Sequence, residues 1–266
     1  MSVLPKVGIQ LCSVKNELRE DVVQTLTLLS QMGFAGVEFA GEFGQFTDDP
    51  KGLKCLLDSL GLEPCGAHIQ LSQFTDNCIE QQLNFYRALG IKLLIVAWDE
   101  RAWSDANLYE LIAELNQLHS RLVVCGFQLG FHNHQHEFDQ FQQTTFWDVI
   151  ALSTPHDFVM QMDVGWLAYA GKNPLEYVER YPGRTWSTHY KAKMSQSVSA
   201  SGLLSLLDED SDCWLKLLSA NINVGGTQWV VIEHNECQAE GLVYDDIGQA
   251  KAQLDKLMRA FSAEKC

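Results

Sequence analysis

KLLIVA, residues 92–97, is a short apolar run whose meaning depends on how often it recurs. A run of this length reads as a buried strand when helical patterns flank it. Seven more follow the same form: VGIQL from Val7, AGVEF from Ala35, CGAHI from Cys65, QLGFH from Gln128, FVMQM from Phe158, TWSTHY from Thr185 and VVIEH from Val230. Between most of them the apolar positions step by three or four. Leu18, Val22, Leu26, Leu29 and Met32 form one such set, and Leu111, Ile112, Leu115, Leu118 and Leu122 another. Ile247, Leu254, Leu257, Met258 and Phe261 repeat it near the end. Asp49-Pro50 and Asn173-Pro174 each supply a helix cap followed by a first-turn proline.

Eight strands alternating with helices, spaced about 25 to 40 residues apart, predict parallel βα units. Closed on themselves they give a (β/α)8 TIM barrel, a parallel eight-stranded barrel surrounded by helices, in a chain long enough for that fold. The rival, a doubly wound open sheet, lacks its usual mark, since neither GxGxxG nor GxxxxGK[ST] follows the first strand. No linker or charge block divides the chain, so residues 1–266 read as a single domain. Residues 191–202, rich in Ser and Ala, read as a long loop after the seventh strand.

Composition narrows the class of partner. A net charge of −15 over 266 residues repels phosphate backbones and predicts no nucleic-acid partner. No apolar stretch reaches membrane-spanning length, and MSVLPKVGIQL carries no positive leader ahead of a cleavage site. Eight scattered cysteines without a CxxC pair read as reduced thiols packed as small hydrophobes. A cytoplasmic protein is the expectation.

In a parallel barrel, functional side chains come from the C-terminal ends of the strands. Glu38, His68, Asp99, His132 with His134, Asp163, His189 with Lys191, and Glu233 all fall there. Each has a plain reading: Asp163 as a helix cap, His189 as a satisfied core histidine, Glu38 and His68 as hydrogen-bonded rim residues. In FHNHQHEF, residues 131–138, alternation on an extended strand turns His132, His134 and His136 to one face, with His136 read as a surface loop residue outside the site. Trp98, Trp103 and Trp166 read as packing or as sugar-stacking platforms. Buried carboxylates need partners, and Asp, Glu and neutral His converging on one mouth suit a divalent cation such as Mn²⁺, Mg²⁺, Co²⁺ or Zn²⁺.

VGIQLCSVKNEL, MGFAGVEFAGEFG, GAHIQL, LGFHNHQHEF, MDVGWLAYAGKNPLEYVERYPGR, HYK and VVIEHNE, in that order, resemble the sugar phosphate isomerase/epimerase family of xylose isomerase-like TIM barrels. The resemblance runs from about Val7 to Phe261. It implies one divalent metal held from the fifth to eighth strands, by Asp163, His189 and Glu233 together with a fifth-strand ligand. That ligand is commonly Glu in the epimerases; here its place falls on His132, with Glu137 competing. The resemblance further implies Glu233 as ligand and base, His134 as acid/base residue, and Lys191 steadying a substrate oxygen. Glu38, His68, Trp98, Trp166 and Lys191 are the expected substrate contacts. Two departures stand out: Ala192 follows Lys191 where many relatives have Asp, and SQSVSASG replaces a Gly-Glu-Gly turn. The function implied is isomerisation or epimerisation of a keto-sugar, sugar phosphate or polyol, by proton abstraction beside a carbonyl through a metal-stabilised enediolate. The alternatives are a lyase of the inosose dehydratase or 3-keto-glycoside type and a non-catalytic sugar-binding barrel. A homodimer is also implied, while likeness to endonuclease IV is one of fold only.

Overall fold

The computed structural model describes residues 3–190, 211–234 and 243–263. All eight expected strands form: β1 Lys6–Gln10, β2 Gly36–Phe39, β3 Glu63–Ile69, β4 Leu93–Val96, β5 Gln128–His132, β6 Val159–Asp163, β7 Ser187–Tyr190 and β8 Trp229–Ile232. They pair in sequence order and all in parallel. β1 closes the ring against β8, with Val7 opposite Val230 and Ile9 opposite Ile232. This is the (β/α)8 barrel that the alternating pattern predicts.

Residue parity separates two apolar populations. Ile9, Val37, Ala67, Leu94, Val96, Leu129, Phe131, Met160, Met162, Val230 and Ile232 belong to the large cluster between sheet and helices. Their neighbours point inward, because successive side chains in a strand face opposite sides. Cys65, Trp229 and Val231 form one interior group and Leu93, Ile95 and Val159 another, with Trp186 packed against both. These side chains plug the lower barrel. One strand glycine is required by that plug: a Cβ on Gly36 would sit 2.4 Å from the Glu63 carbonyl oxygen and 2.7 Å from the Trp229 indole. Above the plug the same inward parity delivers Gln161 and Asp163 on β6, Ser187 and His189 on β7, and Glu233 just past β8.

The caps behave as their sequence chemistry requires. Asp49 accepts a hydrogen bond from the Gly52 N–H and Asn173 one from the Leu175 N–H, each beside a proline in the first turn. The helices Leu108–Val124 and Val243–Ala263 bury their periodic residues. The pattern starting at Leu18 is two helices, Lys15–Glu20 and Val22–Gln31. Asp21 breaks it with extended dihedrals (φ −155°, ψ 100°), and its carboxylate caps the second helix at Gln24 N. A two-rung hairpin, Gln140–Phe141 with Thr144–Thr145, precedes the helix Phe146–Ser153. Cys55, Cys65, Cys78 and Cys125 are free thiols. Among the described residues no helix is long and apolar enough to cross a membrane.

Candidate metal centre

At the C-terminal mouth, His132, Asp163, His189 and Glu233 each offer a ligand atom, and these atoms all lie within 4.8 Å of one another. His68, His132 and His189 form an overlapping group. The strand register explains the convergence: His132 pairs with Gln161, one inward step before Asp163, and Asp163 pairs with His189, so neighbouring strands bring their last inward residues to the same end of the barrel.

Asp163 fulfils its helix-cap reading and also belongs to the four-residue cluster. It is fully buried, and its Oδ1 caps the helix Val164–Tyr169 by accepting the Trp166 N–H at 2.9 Å. Asn133 clamps the neighbouring strand ends: its Oδ1 accepts the Asp163 N–H and its Nδ2 donates to the Asp163 carbonyl. His189 is held between two carboxylates. Its Nε2 lies 2.6 Å from Glu38 Oε2 and its Nδ1 2.8 Å from Glu233 Oε2. Carboxylates only accept, so both ring nitrogens carry protons. Burial opposes the charged ring, but the Glu38 charge and the hydrogen bonds to Glu233 and Glu38 prevail and raise His189 to about 10.

Glu38 is the counterpart. Burial favours its neutral acid, yet the charges and hydrogen bonds of His189 and His68 hold it far below the carboxylate range. Its Oε1 accepts from Gln161 Nε2 at 2.7 Å, while its Oε2 accepts from Gln10 Nε2 at 2.7 Å and contacts His68 Nε2 at 3.0 Å. A fully buried carboxylate engaged on both oxygens does not face a substrate, so the expected substrate contact at Glu38 becomes a support under His189. His68 is drawn into the same layer, its ring stacked on His189 at 5.4 Å and its Nε2 2.8 Å from Gln161 Oε1.

The parity argument for the three histidines holds for two. The rings of His132 and His134 lie 5.1 Å apart, but the strand ends at His132 and a 3-10 turn, His136–Phe138, carries His136 outward onto Trp103. The same turn removes Glu137 from the ligand cluster. Its Oε2 accepts the His134 N–H at 2.8 Å, and its buried Oε1 has no hydrogen-bond partner among the described residues. Burial pushes Glu137 up to about 7, against the two backbone N–H groups that favour its charge. Of the competing fifth-strand ligands, only His132 joins the four-residue cluster. Around the rim, Trp98, about half exposed, meets His134 at 4.7 Å, and Trp166 meets it from 5.5 Å. Asp99 is taken up by Arg101 through two hydrogen bonds of 2.9 and 2.7 Å. Lys191 and Ala192 lie outside the described residues.

The donor set suits a divalent cation: two imidazoles and two carboxylates, with no thiolate. His132 is neutral as a ligand must be, because burial first, then the charges of His189, His68 and His134, press it well below the usual histidine value. His189 would join the set by giving up the Nδ1 proton it directs at Glu233 in the metal-free protein. Gln10, Asn133, Gln161 and Ser187 belong to the same buried layer although the sequence reading passed over them. The signal for Gln161 was present, a lone polar side chain two residues before Asp163 on the same face of an apolar strand.

The ion pairs fix how stability depends on pH in metal-free protein. His189 is raised from 6.5 to about 10, so its contribution is full below 6.5 and is lost as pH rises through about 10. Glu137, raised from 4.5 to about 7, acts with the same sign over its own window, full below 4.5 and lost as pH rises through about 7. Glu38, depressed, contributes above 4.5 and loses that contribution only in strong acid. Urea midpoints measured in EDTA are therefore expected to fall from pH 7 to pH 10; midpoints that rise over that interval would contradict the assignment.

No protein-family model matches the chain. The inosose dehydratase of Geobacillus kaustophilus is 20% identical over 278 residues, covering 88% of this chain and 87% of its own. A sugar phosphate isomerase/epimerase structure from Parabacteroides distasonis superposes with a TM-score of 0.74 at 20% identity, covering 94% of this chain and 98% of that one. A D-tagatose 3-epimerase-like protein gives 0.68 at 15% identity, covering 98% and 100%. In fold, the chain is a closed (β/α)8 TIM barrel similar to those of these sugar isomerase/epimerase and epimerase-like structures.

Proposed function

We propose that this chain is a divalent-metal-dependent enzyme that isomerises or epimerises a keto-sugar or related polyol by moving a proton beside a carbonyl. One observation carries the reading: two imidazoles and two carboxylates gather within 4.8 Å of one another at the barrel mouth, where such folds place their chemistry. His132, Asp163, His189 and Glu233 would hold the cation. When bound, the cation supplies Lewis-acid polarisation of a substrate carbonyl and its adjacent hydroxyl.

The protein groups divide the remaining tasks. Glu233, slightly exposed and hydrogen-bonded to His189, is the base that takes the proton next to the carbonyl. His134, set between the rings of Trp98 and Trp166, is the acid/base partner, and those two indoles offer stacking faces for a sugar ring. His68 borders the same space, with its side chain 12% exposed. Lys191 would steady a developing negative charge on a substrate oxygen. Return of the proton to the neighbouring carbon isomerises; return to the opposite face epimerises.

The likeness to inosose dehydratase favours a second reading, in which the same proton abstraction is followed by loss of a β-hydroxyl. One experiment tests both. Protein loaded with Mn²⁺ is incubated in D₂O with keto-sugars, inososes and 3-keto-glycosides and followed by NMR. Deuterium entering beside the carbonyl with the carbon skeleton and all hydroxyls retained supports isomerisation or epimerisation. Loss of water supports the lyase, and absence of exchange in every substrate overturns proton abstraction.

A further inference from the structure

We propose that Gln161 is a positioning residue that fixes His132 as its Nδ1–H tautomer and thereby turns the Nε2 lone pair toward the cation site. The inference rests on the metal reading above and deepens it. Gln161 is fully buried in the middle of β6, directly opposite His132 in the strand register. Its amide touches four side chains. The Nε2 lies 2.7 Å from Glu38 Oε1 and 3.0 Å from Ser187 Oγ; the Oε1 lies 2.9 Å from His132 Nδ1 and 2.8 Å from His68 Nε2.

Glu38 decides the orientation of the amide. Gln10 spends its Oε1 on the Cys12 N–H and so presents its NH₂ to Glu38, whose carboxyl group is ringed by donors and accepts; the Gln161 atom facing it is therefore the NH₂, since a flipped amide would set oxygen against oxygen. The amide oxygen therefore faces both histidines, and its two lone pairs take one N–H from each. His68 is consistent with this: its Nε2, 3.0 Å from Glu38 Oε2, carries a proton, and the Gln161 atom 2.8 Å away can receive it only as the oxygen. Donating through Nδ1, His132 would ligate as the neutral ring with its lone pair on Nε2. The proton pattern thus runs in one direction, from the Glu38 charge through the Gln161 dipole to His132. Partners that fix a ligating imidazole in this way commonly govern metal affinity.

The test begins on wild-type, metal-free protein labelled with ¹⁵N-histidine. Long-range ¹H–¹⁵N correlations of His132 are expected to show a protonated Nδ1 and an unprotonated Nε2; the reverse pattern overturns the proposal whether or not any variant folds. Gln161→Met keeps the approximate volume and removes both the donor and the carbonyl acceptor. In that variant the His132 tautomers are expected to mix, and affinity for Zn²⁺ or Mn²⁺ alone to fall about 10- to 100-fold. Ser187→Ala, which removes one partner of the amide without touching its oxygen, is expected to leave both readouts at the wild-type value. Gln161→Met with an unchanged tautomer and unchanged affinity overturns the proposal. Failure of wild-type protein to bind metal would instead strike the functional reading and leave the tautomer assignment standing.

Discussion

Asp163→Ala is expected to abolish stoichiometric binding of a divalent cation, with affinity reduced about 100-fold or more, the upper end of what even supporting residues cost at metal sites. The residue contributes one of only two carboxylates in the four-residue cluster, and its removal leaves two imidazoles and Glu233. Its Oδ1 also caps the helix Val164–Tyr169, so the alanine variant loses about 1 kcal/mol of cap stability as well. Asp163→Asn separates the two effects. An amide oxygen still accepts the Trp166 N–H, but the charge is gone, so the cap survives and metal binding does not. Metal content after dialysis, with urea unfolding alongside, reads both. An asparagine variant that keeps wild-type metal content would remove Asp163 from the ligand set.

Glu38→Ala is expected to be the most damaging of these substitutions to the metal-free fold, at about 3–5 kcal/mol, the usual cost of removing one partner of a buried ion pair. Glu38 and His189 are both fully inaccessible, so the imidazolium would lose its closer carboxylate with no water to replace it. Gln10, Gln161 and His68 would lose an acceptor at the same time. His189 should respond by releasing its proton more easily, moving its pKa down from about 10. Urea denaturation gives the stability, and histidine NMR the titration. A loss below about 1 kcal/mol, the range of exposed pairs, would show that the network is not the support described.

These two residues also show what could be read from the chain alone. The barrel was legible because each strand is a short apolar run and each crossover a periodic helix, local signals that survive without tertiary information. Asp163, His189 and Glu233 were legible because a charged or imidazole side chain at the end of such a run demands a partner, and parallel strands bring those ends together. Glu38 looked like a rim residue for the same reason. Its burial follows from pairing with His189, 151 positions away, which no local pattern encodes. Gln161 was passed over because an amide carries no charge to raise suspicion. Glu137 was a candidate ligand only if the loop after His132 folded back; the turn at His136–Phe138 instead points its carboxylate at the His134 N–H and leaves His136 on the outside, where a loop residue was expected. The break at Asp21 has a similar origin, since a carboxylate that caps a helix interrupts a periodicity that otherwise runs straight through it.

The central claim, that two imidazoles and two carboxylates hold a single cation at the barrel mouth, is tested most directly by X-ray absorption at the Zn edge of protein reconstituted with one equivalent of Zn²⁺. The account predicts a first shell of nitrogen and oxygen only, with the outer scattering of two histidine rings that drops to one in His132→Ala. A sulfur shell, or a spectrum with no imidazole scattering, would contradict it.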